Sequence, residues 1–237
     1  MLLAPLTVYR RLLRAYGPQG WWPVTPAGGD GPRYRPGFSV RLTQRQCLEV
    51  CVGAILTQNT NWDNVEKAMT RLHEAGIRDL AALLAVPQRR LEGLIRSSGY
   101  FRQKAKKLKA FARHLARRGG EVGAWLSGDL EARRVELLGL YGIGPETADS
   151  ILLYAAGRPS FVIDAYTLRI GKRLGWFRKP SYHQTQSYLT RRLPKESRLY
   201  NEFHALLVYF AKVRCRKARP LCAGCPLHEV CRYGRRP

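Results

Sequence analysis

The chain has 237 residues, 45% of them hydrophobic, which is enough to bury one large core or two modest ones. Forty-one Lys and Arg against seventeen Asp and Glu leave a net charge of +24, an excess that predicts a polyanionic partner and favours nucleic acid over an anionic membrane. No apolar run approaches bilayer length and the N-terminus lacks the apolar stretch of a secretory signal, so a reducing space such as the bacterial cytoplasm is expected.

Helix signals dominate from the start. Residues 4–16 read as a helix closed by Gly17-Pro18, and the Gly/Pro-rich stretch Ala27–Gly37 reads as a loop. Arg45–Leu56 is a nearly all-apolar helix in which Cys47 and Cys51, four residues apart, are expected to be buried rather than to bind metal. Asn61–Ala75 is amphipathic and ends at Gly76, and two short helices follow at about 78–85 and 87–97. In Phe101–Arg118, Phe101, Ala105, Leu108, Ala112 and Leu115 make one apolar stripe. The rest of that segment carries eight Lys and Arg and no acid, the pattern of a solvated helix face that also suits DNA. Further helices are expected at 129–138, 145–156, 164–174, 181–192 and 196–213. The fold class is therefore all-α, with two helical subdomains and a cleft between them.

Two short stretches carry chemistry. In Leu140-Tyr141-Gly142-Ile143-Gly144-Pro145, a turn joins two helices, Pro145 opens the second, and both glycines are expected to use backbone angles closed to other residues. The N–H groups of such a turn can receive a backbone phosphate. At the C-terminus, Cys215, Cys222, Cys225 and Cys231 follow a C-x6-C-x2-C-x5-C spacing. Disulfides do not suit a long basic chain without a secretory signal. Zinc remains open, although its sites usually show two close cysteine pairs, and a [4Fe–4S] cluster is the preferred ligand set. Asp164, at the start of a later helix, reads first as an N-cap.

The turn, Asp164 and the four cysteines together resemble the helix-hairpin-helix DNA glycosylases of the endonuclease III superfamily. So do Ala54–Thr60, Ser98-Gly99-Tyr100 with Lys104-Ala105, and Phe203-His204, and the resemblance covers about residues 20–235. It implies a six-helix barrel at 45–157 and a second helical domain, carrying the cluster, from 1–44 and 158–237. The partner it implies is double-stranded DNA containing damaged bases, bound by a monomer with no membrane involved. Leu140, Gly142, Ile143 and Gly144 would grip DNA, and Gln58 and Asn59 would fill the space that the extruded base leaves. Asp164 would be the catalytic carboxylate.

Bifunctional members carry a lysine two residues beyond the last hairpin glycine, where it forms a Schiff base with the sugar. Glu146 stands there in this chain, which implies a monofunctional enzyme that uses water. Other residues are similar to 3-methyladenine DNA glycosylase III and imply a pocket for alkylated purines. In that pocket Trp21 and Trp62 would sandwich the base, with Trp22, Glu146 and Lys212 nearby. That branch lacks the cysteine cluster. The alternatives are an endonuclease III-type enzyme for oxidised pyrimidines with weak lyase activity, and a catalytically silent DNA-binding homologue.

Overall fold

The structure is a computed structural model that describes residues 4–34, 42–179 and 181–235. The end of the expected loop, residues 35–37, lies outside them. In chain order the α-helices are α1 (Pro5–Tyr16), α2 (Gln44–Leu56), α3 (Trp62–Glu74), α4 (Leu80–Ala85), α5 (Gln88–Leu94), α6 (Phe101–Arg117), α7 (Val122–Leu126), α8 (Leu130–Leu138), α9 (Pro145–Ser150), α10 (Ala165–Leu174), α11 (Tyr182–Thr190) and α12 (Ser197–Val213). Among the described residues there is no strand, only an isolated bridge between Val24 and Arg33. No helix among them is long and apolar enough to cross a membrane. The described residues form two units, one from 22–34 and 42–158, the other from 4–21, 159–179 and 181–235.

The first of these units is wound around α2. Every residue from Cys47 to Leu56 is buried, so the helix has no solvent face and neighbours cover it on all sides. A reciprocal capping box starts it: Thr43 Oγ1 accepts from Gln46 N at 3.2 Å, and Gln46 Oε1 accepts from Thr43 N at 3.0 Å. Glu49 is the one acid in the buried run, and burial raises its pKa. Its carboxylate accepts from Thr25 N at 3.0 and 3.1 Å and from the Thr25 hydroxyl at 2.5 Å. Nearby, Gly53 lies so close to the Trp22 indole that an added Cβ would meet it at 3.2 Å. These contacts hold residues 22–34 in the unit built on α2.

The basic helix α6 differs from a plain solvated face. Lys104 and Lys109 are buried, and each ammonium caps carbonyls at the end of another helix. Lys104 Nζ donates to Leu56 O at 2.8 Å and Ser98 O at 2.6 Å, while Lys109 Nζ donates to Leu83 O at 2.9 Å and Leu84 O at 2.8 Å. Burial pushes the Lys104 pKa down to about 8. The expected helix at 145–156 is α9 followed by a π-helical turn, Ile151–Ala155, and the expected 87–97 helix is α5 followed by a 3-10 turn, Arg96–Ser98. Helix α7 was not anticipated, because five residues are too few to show a period.

In the other unit α1 and α10 both pack on α12. Phe161 meets Tyr200 and Phe203 edge-on, with ring centroids 5.1 and 5.8 Å apart. After α12 the chain changes character. From 214 to 235, Leu227 is the one buried residue among those described. Arginines hold this segment by its backbone: Arg173 donates to Cys215 O at 3.1 Å, Arg216 O at 2.8 Å and Lys217 O at 2.9 Å, and Arg169 Nε donates to Cys215 O at 3.0 Å.

Candidate active site

The turn between α8 and α9 is closed by Ile143 N donating to Leu140 O at 3.1 Å, with Ile143 buried and Leu140 half-buried. Gly142 is at φ 73°, a conformation that favours glycine, and the Lys107 side chain lies across the place of its absent Cβ. Gly144 departs from expectation. Its φ of −94° is ordinary extended backbone, and nothing lies within 4 Å of where its Cβ would be. The missing side chain leaves the start of α9 open to approach, and no side chain caps that end.

Gln58 is tied to this turn. Its Nε2 donates to Gly142 O at 3.1 Å and Thr147 Oγ1 at 2.8 Å, and its Oε1 accepts from Lys107 Nζ at 2.5 Å. Asn59 beside it is exposed and left-handed, with φ 54°. Arg134 grips Asp149 with Nε–Oδ1 2.7 Å and Nη2–Oδ2 3.0 Å, a bidentate pair that locks α8 to α9. The sequence did not reveal that lock, since the partners are 15 residues apart on different helices. Glu146 is exposed on the first turn of α9.

Asp164 is the N-cap of α10, as expected. Its Oδ1 accepts from Thr167 N at 2.7 Å, and its Oδ2 lies 3.5 Å from His204 Nε2. Burial works to raise the carboxyl pKa, but the hydrogen bond and charge of His204, aided by Thr167, outweigh it and hold the group below its ordinary value. The result is a buried, fixed, ionised carboxylate. His204 entered the sequence reading only as part of a motif, because α12 meets the start of α10 through the fold and not through proximity in the chain.

The tryptophans are less open than expected. Trp62, the first residue of α3, is 5% exposed, and Trp22 meets it edge-on with centroids 5.4 Å apart. Trp62 is thus packed in its own unit instead of offering a free face for a base. Trp21, in the other unit, is half-buried, and Lys212 is exposed near the end of α12.

The four C-terminal cysteines are free, half-buried thiols that line one hollow together with Ile170, Leu174 and Phe210. Among the described residues, no three His, Cys, Asp or Glu side chains converge closely enough to hold a single metal ion. Arg173 Nη1 donates to Cys215 Sγ at 3.1 Å, and Leu227 N approaches Cys225 Sγ at 3.5 Å. Burial raises the pKa of Cys215 and Cys225, and these donors oppose it. Four thiols around one hollow, with N–H groups aimed at two sulfurs, are a donor set that suits a thiolate-bound metal centre. Cys47 and Cys51 are buried in α2, as expected.

Comparison with known proteins places these features. The HhH-GPD superfamily base excision DNA repair protein family matches residues 52–195. The MJ1434 protein of Methanocaldococcus jannaschii, a DNA repair glycosylase by name, is 40% identical over 227 residues, covering 94% of each chain. A trapped endonuclease III–DNA covalent intermediate has a TM-score of 0.75 at 26% identity, covering 98% of both chains. The 3-methyladenine DNA glycosylase of H. pylori bound to 1,N6-ethenoadenine shares the fold, with a TM-score of 0.71 at 24% identity over 89% of this chain and 98% of that one. With the hairpin, the capped Asp164 and a match over most of its length, the chain belongs to the HhH-GPD superfamily of base-excision DNA repair proteins and is an endonuclease III-like DNA N-glycosylase.

Proposed function

We propose that the enzyme is a monofunctional glycosylase, which releases a damaged base from double-stranded DNA with water and leaves the abasic strand uncut. The observation that carries this reading is the exposed carboxylate of Glu146 on the first turn of α9, where bifunctional relatives would offer an amine. The nearby lysines do not replace it, since Lys104 caps Leu56 O and Ser98 O and Lys107 holds Gln58. As the C1′–N bond breaks, the base leaves with the bonding electrons and the sugar becomes cationic. Water oxygen then bonds to C1′ and its proton passes to solvent. Asp164, ionised and of low basicity, serves by its charge more than by taking the proton. His204 and Thr167 keep it in place. The exposed Gly142 and Gly144 amides would receive a backbone phosphate, and the exposed, left-handed Asn59 would meet the duplex beside them.

An alkylated purine such as 3-methyladenine is the proposed substrate. Such a base is already a good leaving group, which suits a site built around one fixed charge. The burial of Trp62 shifts the proposed stacking contact to the half-buried Trp21 and Trp22. A second reading, removal of oxidised pyrimidines with weak lyase activity, is favoured by the resemblance to the trapped endonuclease III complex. The cysteine hollow would hold a [4Fe–4S] cluster through Cys215, Cys222, Cys225 and Cys231. Bound there, the cluster would supply rigidity to a segment with little core of its own. The enzyme would act as a monomer in a reducing compartment such as the bacterial cytoplasm.

The test is purified protein on duplexes containing 3-methyladenine, hypoxanthine or thymine glycol, with and without alkali. Strand breaks that need alkali at the purine lesions are expected. Spontaneous nicking at thymine glycol supports the second reading, and no release of any base leaves only a DNA binder.

A further inference from the structure

At the opposite end of α10 from Asp164 lies a hollow of about 790 Å³ lined by Arg169, Lys172, Arg173, Arg178, Arg232 and Tyr233, with no carboxylate in its walls. Along the helix axis its first lining residue, Arg169, lies roughly 7–8 Å from Asp164, and Lys172 about 12 Å, at 1.5 Å per residue. A helix C-terminus attracts cations by its dipole, which accounts for Lys172 and Arg173 but not for Arg178 or Arg232 beyond the helix.

Several features make this a formed basin. Arg169 and Arg173 are fixed by backbone carbonyls of the cysteine segment, and the Arg173 guanidinium lies over the Tyr233 ring at 4.7 Å. Gly175, at φ 86°, leaves room where a Cβ would run into the Arg232 side chain, so Arg232 can lie across the end of the helix. Lys172, Arg178 and Arg232 are exposed, and among the described residues none of them pairs with a carboxylate. A concave surface of one sign concentrates its field. Except for the tyrosine, the polar side chains here are pure donors, and they suit a ligand that presents only acceptors.

We infer that this basin is a second nucleic-acid contact, which binds the phosphodiester backbone of duplex DNA outside the lesion site and without regard to sequence. Donor-only walls match phosphates and not base edges. An acidic protein segment is the competing occupant. The inference does not depend on which base the enzyme removes.

The experiment compares wild type with Lys172→Ala/Arg178→Ala, both exposed side chains, for binding to undamaged 30-base-pair duplex by fluorescence anisotropy across a salt series. Two lost phosphate contacts should make the slope of log K against log salt less negative by about 1.8. The single-turnover rate constant on a lesion duplex at saturating enzyme should stay unchanged. An unaltered slope overturns the proposal. So does an unaltered slope accompanied by loss of binding to a poly-glutamate peptide, which would assign the basin to a protein partner. A fall in the saturated rate constant also overturns it, by making the basin part of the lesion site. Since the duplex is undamaged, the slope reads out even if no base is ever released.

Discussion

In α2, ten of thirteen residues are buried and the helix owes its position to apolar contact on every side, whereas residues 214–235 bury Leu227 alone among those described. The second segment is held from outside by Arg169 and Arg173, which reach its carbonyls and one of its thiols. The difference shows how a short segment with almost no core can still be specified. The carbonyls at its start are taken by arginines anchored on α10, and its four thiols line one hollow. Helix α10 carries both arginines of this clamp and begins at its N-cap, Asp164.

The largest effect is expected at the start of α10. Asp164→Asn should lower the single-turnover rate of base release by about 10³-fold while lesion-DNA affinity stays within a few-fold. Retained turnover would remove the carboxylate from the reaction. Because the folded pKa of Asp164 is depressed, its contribution to stability is fully present above the unfolded carboxylate value of about 3.9 and is lost as pH falls through the lower folded value. The acid limb of the rate profile should accordingly lie below about pH 4.

Next in size is the apolar side of the comparison. Ile55→Ala, at a fully buried position, should cost about 3 kcal/mol in urea unfolding. A cost under about 1 kcal/mol would mean that α2 is not the packed centre of its unit. The smallest effect is local. Chelation of the proposed iron should raise tryptic cleavage at Arg214, Arg216 and Lys217 about tenfold while amides of α2 keep their exchange protection. Cleavage that does not change on chelation would leave the arginine clamp as the sole support of the segment.

Much of the candidate site was legible because it is local in the chain. Gly142 at a positive φ, Pro145 at a helix start, Asp164 as an N-cap and four cysteines within seventeen residues are all features of neighbouring positions. Partnerships over long separations were not legible. His204 reaches Asp164 across 40 residues, and Lys104, 48 residues beyond Leu56, spends its charge on the carbonyl of that residue, although a lysine in a basic helix reads as solvated.

By itself the sequence determined the helical class, the all-apolar run of α2, the basic excess that calls for a polyanion, and the hairpin, Asp164 and cysteine motifs. Each of these is set by periodicity, composition or the conformational limits of single residues. Only the tertiary structure decided that residues 22–34 join α2, that Trp62 is packed, that Gln58 is bound to the hairpin, and that cations from α10 and the chain's end share one basin. Those outcomes depend on which side chains fill a given space or satisfy a given buried polar group, and folding settles that between residues far apart in the chain.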